Sequence, residues 1–315
     1  MKEIGGYFGL EQLISNEYYA DLIAVNNARN ALFYLLKARR IKKLFIPYFL
    51  CDSVSNLCDR EGYAYEYYHI DQSFLPVFDK NPEKDEYLYV VNFYGQIGNE
   101  QIVGIKDRYQ NVIFDNVQAF FQRPVREIDT IYSCRKFFGV PDGGYVSTNT
   151  VLNEPLELDV SKDRMKHVLG RFEGNASDFY QDFKQNDYSF IDMPLRRMSE
   201  LTHNILGAID YAFVQRQREA NYQLLADALD QYNRLKLVKP IGPYAYPFYY
   251  ENGMEVKKKL AAQKIYVATL WPNVLQMEGW LERDYTENIL PLPCDQRYDA
   301  EDMNRIAKEI VKCIS

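Results

Sequence analysis

An acid and a lysine lie near each other in the sequence, each in a setting that suits chemistry. Asp115 ends the apolar run at residues 112–114, and Lys136 lies among aromatic residues just ahead of the Pro-Asp-Gly-Gly turn at residues 141–144. Pyridoxal 5'-phosphate enzymes use such a pair. The lysine holds the cofactor as a Schiff base, and the carboxylate keeps the pyridine nitrogen protonated so that the ring accepts electrons. The order and spacing of the two residues make a pyridoxal phosphate site the leading hypothesis.

Each feature taken alone has a more ordinary interpretation. Asp115 alone is most often a turn or cap residue, and Lys136 alone is a solvated surface lysine beside Arg135. The glycines of residues 141–144 predict a turn whatever the function, because glycine adopts positive φ at little cost. A helix start at residues 26–29 suits an anion through its free N–H groups, although it lacks the glycines of a P-loop. The hypothesis therefore depends on the combination.

The composition fits this hypothesis and argues against several other classes of protein. A chain of 315 residues with 47% apolar and 26% charged residues is typical of a globular protein with one large and one smaller domain. The net charge of -7 argues against general nucleic-acid binding and against an anionic membrane surface. No apolar run is long enough to span a membrane, and the start of the sequence has no apolar signal segment. We therefore expect no nucleic-acid partner and no membrane partner.

The cysteines and histidines predict a reduced protein without a metal centre. Five cysteines are scattered along the chain and form no Cys-x-x-Cys motif, which favours free thiols and a cytoplasmic location. The three histidines lie far apart in the sequence, so we expect no metal site.

Apolar strands alternate with helical patterns over the first part of the chain. Such alternation predicts an α/β protein with a mainly parallel sheet, in which ligands collect at the carboxyl ends of the strands. Asn92, Asp115 and Ser133 lie at predicted strand ends and Lys136 follows directly, so we expect one pocket to hold all four. The predicted strands cover residues 43–47, 63–70, 87–92, 112–114, 128–133 and 144–148, and the predicted helices cover residues 28–40, 52–60 and 102–109.

The pattern changes in the last third of the chain. A long helical pattern at residues 198–232 precedes a mixture of short strands and helices, which predicts a small α+β domain joined through the long helix. We therefore place the large α/β domain at residues 1–200, and the linking helix with the small domain at residues 201–315. The strands of the small domain are predicted at residues 244–250 and 265–270, and its helices at residues 254–263 and 300–313.

Short motifs in a fixed order resemble the DegT/StrS family of sugar aminotransferases, which are pyridoxal phosphate enzymes of fold type I. Asp115-Asn-Val-Gln118 resembles the family's Asp-x-x-Gln, and Ser133-x-x-Lys136 with Asp142-Gly-Gly144 resembles its serine, lysine and glycine block. The resemblance covers nearly the whole chain and implies fold type I. The other matching segments are residues 4–8, 27–32, 46–51, 68–71, 92–95, 197–199, 218–222 and 292–298.

The resemblance implies a role for each matched residue of the site. Lys136 forms the Schiff base, and Asp115 contacts the protonated pyridine nitrogen. Gln118 and Asn92 belong to the surroundings of the ring, and Ser133 contacts the phosphate. The full set of residues that the resemblance places at the cofactor is Asn27, Ala28, Arg29, Cys51, Asn92, Asp115, Gln118, Ser133, Lys136, Arg196 and Arg197.

Two departures from the family's pattern concern the phosphate. Asn27-Ala28 stands where the phosphate loop of the family has Ser-Gly, which removes a hydroxyl donor. Leu195-Arg-Arg-Met198 stands where the family has Asn-Tyr-Arg-Met, whose asparagine reaches across a dimer to the phosphate. Arg196 or Arg197 would replace that asparagine as a charged phosphate contact.

Two further departures concern the lysine and the ring. Ser133 lies closer to Lys136 than the corresponding serine does in the family, and Cys51 occupies a position that commonly holds an aromatic residue stacked on the ring. These departures describe either a divergent subfamily or a homologue that is losing its chemistry.

The resemblance implies amino transfer to a keto sugar that is nucleotide-linked, in polysaccharide or glycoside biosynthesis. It also implies an amino donor such as glutamate and a homodimer with shared active sites. A non-catalytic homologue that keeps the fold as a binding or assembly partner is the alternative, favoured by the departures and opposed by the presence of both Asp115 and Lys136. A sugar dehydratase on this fold has histidine in place of the lysine, so Lys136 argues against it.

Overall fold

The structure, a computed structural model, describes residue 4 and residues 6–314. The motif predicted at residues 4–8 therefore lies partly outside the described residues. Within the described part of the chain, an eight-stranded sheet has the order β1-β8-β7-β6-β5-β2-β3-β4. The neighbours from β3 through β2, β5 and β6 to β7 are parallel, and β1, β4 and β8 pair antiparallel. The strands are β1 (Ile23–Val25), β2 (Lys43–Pro47), β3 (Ala64–Ile70), β4 (Pro76–Val77), β5 (Glu86–Val91), β6 (Val112–Asp115), β7 (Asp129–Ser133) and β8 (Gly144–Ser147).

Helices join β2 to β3 and β5 to β6, and most strand pairs are parallel, so the predicted α/β fold with a mainly parallel sheet is confirmed. All residues of β6 and β7 are buried, as expected for central strands covered on both faces. Helix α2 ends at Gly62, whose φ of 77° is the left-handed conformation that glycine adopts without strain. The helices before the last third are α1 (Ala28–Ala38), α2 (Ser53–Glu61), α3 (Asn99–Tyr109), α4 (Lys166–Glu173) and α5 (Tyr180–Ser189).

A second, smaller core lies in the last third of the chain. The antiparallel pair of β9 (Tyr246–Tyr249) and β10 (Ile289–Leu292) packs with buried side chains of the helices around it, from Tyr222 to Ile310. The mixture of strands and helices predicted for this part is therefore present, while the domain boundary near residue 200 stays a prediction. The helices of this part are α6 (Glu200–Leu206), α7 (Tyr211–Leu229), α8 (Gly253–Ala262), α9 (Trp280–Asn288) and α10 (Ala300–Ile314).

Two predictions about this part of the chain were wrong. Residues 265–270 form no strand, although their apolar run has strand composition. The single helix predicted at residues 198–232 is two helices, α6 and α7, because the chain turns between Leu206 and Tyr211. The Asp210 side chain accepts a hydrogen bond from the Phe213 N–H and so begins a new helix.

Candidate active site

The carboxyl ends of the parallel strands bring Asn92 and Asp115 together. Val91 and Asp115 are register partners on β5 and β6, and the backbone N–H of Asn92 donates to the Asp115 carbonyl at 3.0 Å. On the other side, Asp115 is paired with Ile131 of β7. The predicted row of strand ends is therefore a contiguous edge of the sheet.

Asp115 is buried, and both of its carboxylate oxygens accept hydrogen bonds. The hydroxyl of Tyr89 donates to Oδ2 at 2.5 Å, and the Val117 N–H donates to Oδ1 at 2.8 Å. Burial raises the pKa of the Asp115 carboxyl, while the bonds from Tyr89 and Val117 and the charge of Lys136 lower it. The charge of Lys136 therefore favours the ionised form of this carboxylate.

Lys136 lies in a tight turn directly after β7. The carbonyl of Cys134 accepts from the N–H groups of Phe137 and Phe138, and these three flanking residues are buried in an aromatic cluster. Lys136 itself is exposed, and its Nζ lies 5.4 Å from the centroid of the Tyr244 ring. No hydrogen bond or ion pair engages its ammonium within the part of the chain that the structure describes. The buried residues before and after Lys136 therefore fix the turn, while the amine of Lys136 has no partner among the described residues.

The amino end of α1 has free backbone donors. Asn27 caps the helix by accepting the Asn30 N–H at 2.8 Å, and the N–H groups of Ala28 and Arg29 donate to no group in the described residues. A Cβ atom at Gly144 would lie 2.8 Å from the Asn27 carbonyl carbon and 2.9 Å from the Ala28 nitrogen. Glycine at this position therefore permits β8 to approach the helix start closely, and the free N–H groups with the helix dipole form a site for an anion.

Two side-chain donors in the described part of the chain also lack acceptors, one at the start of α1 and one in the loop after β6. The Nδ2 of Asn27 and the Nε2 of Gln118 are buried, and neither has a hydrogen-bond partner in the described residues. The Oε1 of Gln118 is engaged by the Tyr94 N–H at 2.8 Å, which fixes the amide. The hydroxyl of Ser133, at the end of β7, donates to no protein group among the described residues. Buried donors without partners are uncommon, so these amides indicate a ligand with acceptor oxygens.

Asn92 is at the predicted place but is engaged by the protein. Its amide oxygen accepts the Ile97 N–H at 2.8 Å, and its amide nitrogen donates to Gln122 Oε1 at 2.7 Å and to Asn116 Oδ1 at 3.2 Å. These bonds hold the loop after β5 against the loop after β6. Its contact with a cofactor stays a prediction, whereas its role in shaping the edge is directly visible.

Cys51 lies near both Arg29, in the first turn of α1, and Tyr89, whose hydroxyl bonds Asp115. Cys51 Sγ lies 2.8 Å from Ser53 Oγ. Arg29 donates through its Nη1 to the Phe190 carbonyl at 2.5 Å, and its Nε is buried without a partner. Burial lowers the pKa of the Arg29 guanidinium, and the nearby Cys51 opposes that effect. The half-buried thiol is therefore near the predicted cofactor position, although its contact with the ring stays a prediction.

The two arginines of the Leu195–Met198 segment have different partners. Arg196 lies 3.7 Å from Asp159 and 3.4 Å from Glu157, and its Nε is buried without a partner. Arg197 is exposed and donates through Nε to the Leu156 carbonyl at 3.2 Å. Their backbone runs beside β1, where the Arg196 carbonyl accepts the N–H of Asn26 at 3.0 Å. Contact with the phosphate of a partner chain stays a prediction for both.

Several residues of the site were missed from the sequence. Tyr89 shares one face of the sheet with Asp115, since it lies two residues before Val91 and strand side chains alternate. That spacing could have predicted that Tyr89 lies near Asp115. Arg218 and Gln296 lie within the matched segments 218–222 and 292–298, and Tyr244 lies in a predicted strand. Nothing in those patterns links any of the three to Lys136. Arg218 and Gln296 donate to the Phe137 carbonyl at 3.2 Å and 2.7 Å.

The residues present fit pyridoxal phosphate. A carboxylate for the ring nitrogen, a free amine, an anion site at a helix start and unpaired amide donors lie along one edge of the sheet. The described residues contain no group of three His, Cys, Asp or Glu side chains that could hold a metal ion. No helix in the described residues is long and apolar enough to cross a membrane.

Comparison with known proteins identifies the fold. No protein-family model matches the sequence, and no curated protein matches it. Solved structures do match. A DegT DnrJ EryC1 StrS aminotransferase from Brucella abortus superposes with a TM-score of 0.64 at 16% identity, over 92% of this chain and 85% of the other. The protein has the fold of the DegT/DnrJ/EryC1/StrS aminotransferases.

Other structures with this aminotransferase fold match equally widely. NtdA from Bacillus subtilis, with its bound cofactor PMP, gives a TM-score of 0.68 at 15% identity over 93% of this chain and 73% of that protein. PseC from Helicobacter pylori, an aminotransferase involved in the biosynthesis of pseudoaminic acid, gives 0.60 at 14% identity, over 92% and 86% of the two chains. The low identities fit the predicted divergent member, and the fold-type-I architecture expected from the motifs is confirmed.

Proposed function

We propose that the protein is a pyridoxal-phosphate-dependent aminotransferase that acts on a keto sugar. The observation that carries this proposal is the placement of Asp115 and Lys136. Asp115 ends β6 and Lys136 follows the end of β7, the neighbouring strand, so both lie at the carboxyl edge of the sheet, on a fold shared with sugar aminotransferases. A carboxylate and a free amine at the same edge of the sheet match what the cofactor requires.

In this proposal, Asp115 and Lys136 act on the cofactor ring and the substrate, and the start of α1 binds the phosphate. Pyridoxal phosphate, when bound, supplies a ring that accepts electrons from the substrate carbon. Asp115 would hold a proton at the ring nitrogen, and Lys136 would hold the cofactor and, as a neutral amine, move a proton at the substrate carbon. The Ala28 and Arg29 N–H groups, with the Ser133 hydroxyl, would bind the phosphate.

The finer assignment rests on the relatives. Among the proteins with this fold, PseC acts in the biosynthesis of pseudoaminic acid and CalS13 is a sugar aminotransferase. We therefore infer a keto sugar that is nucleotide-linked, an amino donor such as glutamate, and a place in polysaccharide or glycoside biosynthesis. The five cysteines are free, which favours a cytoplasmic enzyme.

A homodimer is part of the proposal. Large apolar side chains are exposed on α4, α5 and the segments beside them, including Phe172 at 91% and Tyr188 at 63%. A groove of about 550 Å³ lies between β1 and Arg197 and is lined by apolar residues such as Leu156 and Leu158. Contiguous apolar surface of this kind marks an interaction site, and isologous dimers are the commonest closed assembly.

Absorption spectroscopy tests the function. Purified protein titrated with pyridoxal phosphate should develop the visible absorption of a lysine-bound cofactor, and Lys136→Ala should lose it. Lys308→Ala is the control, because Lys308 is an exposed lysine on α10, which packs in the smaller core. A wild-type protein that never develops this absorption would support the alternative, a non-catalytic homologue that uses the fold for binding or assembly.

A further inference from the structure

Asp115 has one side-chain hydrogen-bond donor in the described residues, the hydroxyl of Tyr89. The phenol lies 2.5 Å from Oδ2, within the range of a charge-assisted O–H···O bond. Tyr89 is 1% exposed, and its carbonyl accepts the hydroxyl of Tyr68 at 2.8 Å. The second donor to the carboxylate is the Val117 N–H, a backbone group. Tyr89 is therefore fixed beneath the carboxylate, away from water.

We propose that Tyr89 is a positioning residue for Asp115, which orients the carboxylate and keeps it ionised so that it pairs with the protonated ring nitrogen of the cofactor. This role rests on the proposed function, and it adds a residue that none of the sequence motifs contains.

The physical reason is competition between two states of one shared proton. In a buried site, a carboxylate paired with a protonated ring competes with a neutral carboxyl group paired with a neutral ring, because burial disfavours charge. A hydrogen bond donated to the carboxylate favours the ionic state, because it stabilises the anion. Removal of that donor would move the proton from the ring nitrogen towards Asp115 and weaken the ring as an electron acceptor.

The surroundings of Tyr89 and Asp115 support a hydrogen bond that keeps Asp115 ionised. Burial raises the pKa of Asp115, and the first group that opposes burial is Tyr89, followed by the Val117 N–H and the Lys136 ammonium. Burial and the neighbouring Asp115 raise the pKa of Tyr89 well above its ordinary value, with smaller effects in the same direction from Cys51 and Tyr68. The phenol therefore keeps its proton at neutral pH and acts as a donor.

Tyr89→Phe isolates the hydroxyl, since it keeps the ring and the packing. Tyr68→Phe is the matched control, because it removes a buried hydroxyl that donates to the Tyr89 carbonyl and not to a carboxylate. The first readout uses protein without cofactor: the pKa of Asp115, followed by the carbon-13 shift of its carboxyl group. A bond to a charged group corresponds to about one to two pH units, so Tyr89→Phe should raise the pKa of Asp115 by that amount. Tyr68→Phe should change it by less than about half a unit.

The second readout uses the cofactor. Tyr89→Phe should bind pyridoxal phosphate about tenfold or more weakly than Tyr68→Phe, because one bond to a charged group is lost. The ring nitrogen of the bound cofactor, followed by its nitrogen-15 shift, should lose its proton at a lower pH. An Asp115 pKa that moves no more in Tyr89→Phe than in Tyr68→Phe would overturn the proposal. So would a Tyr89→Phe protein with the control's affinity and an unshifted titration.

The two readouts separate this proposal from the proposed function. The titration without cofactor reports the contact between Tyr89 and Asp115 whether or not cofactor binds. A wild-type protein that fails to bind pyridoxal phosphate would overturn the proposed function, and with it the role of Tyr89 towards the ring, even if the first readout succeeded.

A third variant covers the case in which Tyr89→Phe does not fold. Incorporation of 3-fluorotyrosine at position 89 makes the phenol a stronger donor with almost no change of shape. It should lower the pKa of Asp115, and an unchanged or raised value would contradict the proposal.

Discussion

The guanidinium of Arg218 donates a hydrogen bond to the carbonyl of Phe137, the residue after Lys136. Arg218 lies on α7 and is 2% exposed, and its other bonds go to the Gln296 side chain at 2.7 Å and the Pro243 carbonyl at 2.9 Å. The helix that leads into the smaller core thus holds the turn that carries the lysine. The site is built from residues far apart in the sequence.

Loss of this contact should reduce stability. Arg218→Met keeps much of the side-chain volume but removes the Arg218 bonds to the Pro243 carbonyl and the Gln296 amide oxygen, while the Phe137 carbonyl keeps its bond from Gln296. This loss should lower the free energy of unfolding by at least about 2 kcal/mol. Arg216→Met is the control, because Arg216 is exposed on the same helix and should change stability by less than about 0.5 kcal/mol. Denaturant unfolding measures both. Equal midpoints for the two variants would show that the Arg218 bonds contribute no net stability.

Asp115→Asn should stabilise the protein without cofactor and slow its reaction. Burial raises the pKa of the Asp115 carboxyl, so the folded chain binds this proton more tightly than the unfolded chain. Stability is therefore lost as the pH rises from the unfolded value, about 3.9, through the folded one. Asparagine has no such proton, so the variant should melt at a higher temperature than wild type at neutral pH and lose that advantage below about pH 4.

The same substitution should slow turnover at least about tenfold, since a bond to a charged group contributes roughly 1.5–3 kcal/mol and each 1.4 kcal/mol is tenfold in rate. The control is Asp107→Asn, at an exposed position on α3, which should change neither property. If Asp115 is only a turn or cap residue, asparagine would serve about as well, and an unchanged half-reaction rate in stopped flow would exclude its proposed role.

His203 should give the docking of the N-terminal segment a pH dependence. Its Nδ1 lies 2.8 Å from Glu17 Oε2, and this hydrogen bond raises the pKa of the imidazole. The pair therefore stabilises the fold fully below the unfolded pKa, about 6.5, and loses that effect as the pH rises through the folded value. Glu17→Gln should lower the melting temperature more at about pH 5.5 than at about pH 9. Glu11→Gln, at an exposed position, is the control, and an equal loss at both pH values would contradict the pairing.

The apolar surface of α4 and α5 should mediate dimerisation. Phe172→Asp places a charge where we expect a partner chain, so it should convert a dimer at micromolar concentration into a monomer in sedimentation velocity. Tyr266→Asp is the control, because Tyr266 is 75% exposed and lies in the last third of the chain, away from α4 and α5 in the sequence. A wild-type monomer, or a Phe172→Asp protein that stays dimeric, would contradict the assignment of this surface.

Most strands of the large sheet were predictable because they have apolar or alternating runs with clear ends. The strand at residues 43–47 was predicted with its observed bounds, and Asp115 and Ser133 were placed correctly at strand ends. Short edge strand β1 and helices α4 and α5 were missed, because Ile23–Val25 is too short for a pattern and the two helices have almost no buried residues to set a period.

The contacts within the site were less predictable. Asp115 and Lys136 could be paired from their order along parallel strands, whose carboxyl ends meet at one edge. The bonds of Arg218 and Gln296 to the lysine turn depend on how α7 and the segment after β10 pack, which no local sequence pattern specifies. The prediction of a strand at residues 265–270 was wrong for a similar reason, since tertiary packing overrides strand propensity.

Borohydride trapping of the lysine–cofactor bond, followed by peptide mapping, tests the central claim most directly. Protein mixed with pyridoxal phosphate and reduced should carry the label on Lys136. Lys257 is the most informative competitor, because burial lowers the pKa of its amine to about 8, which makes it reactive for chemical reasons alone. Label on Lys136, absent in Lys136→Ala, is the result that the account predicts. Label on Lys257 or another lysine, or no label at all, would contradict it.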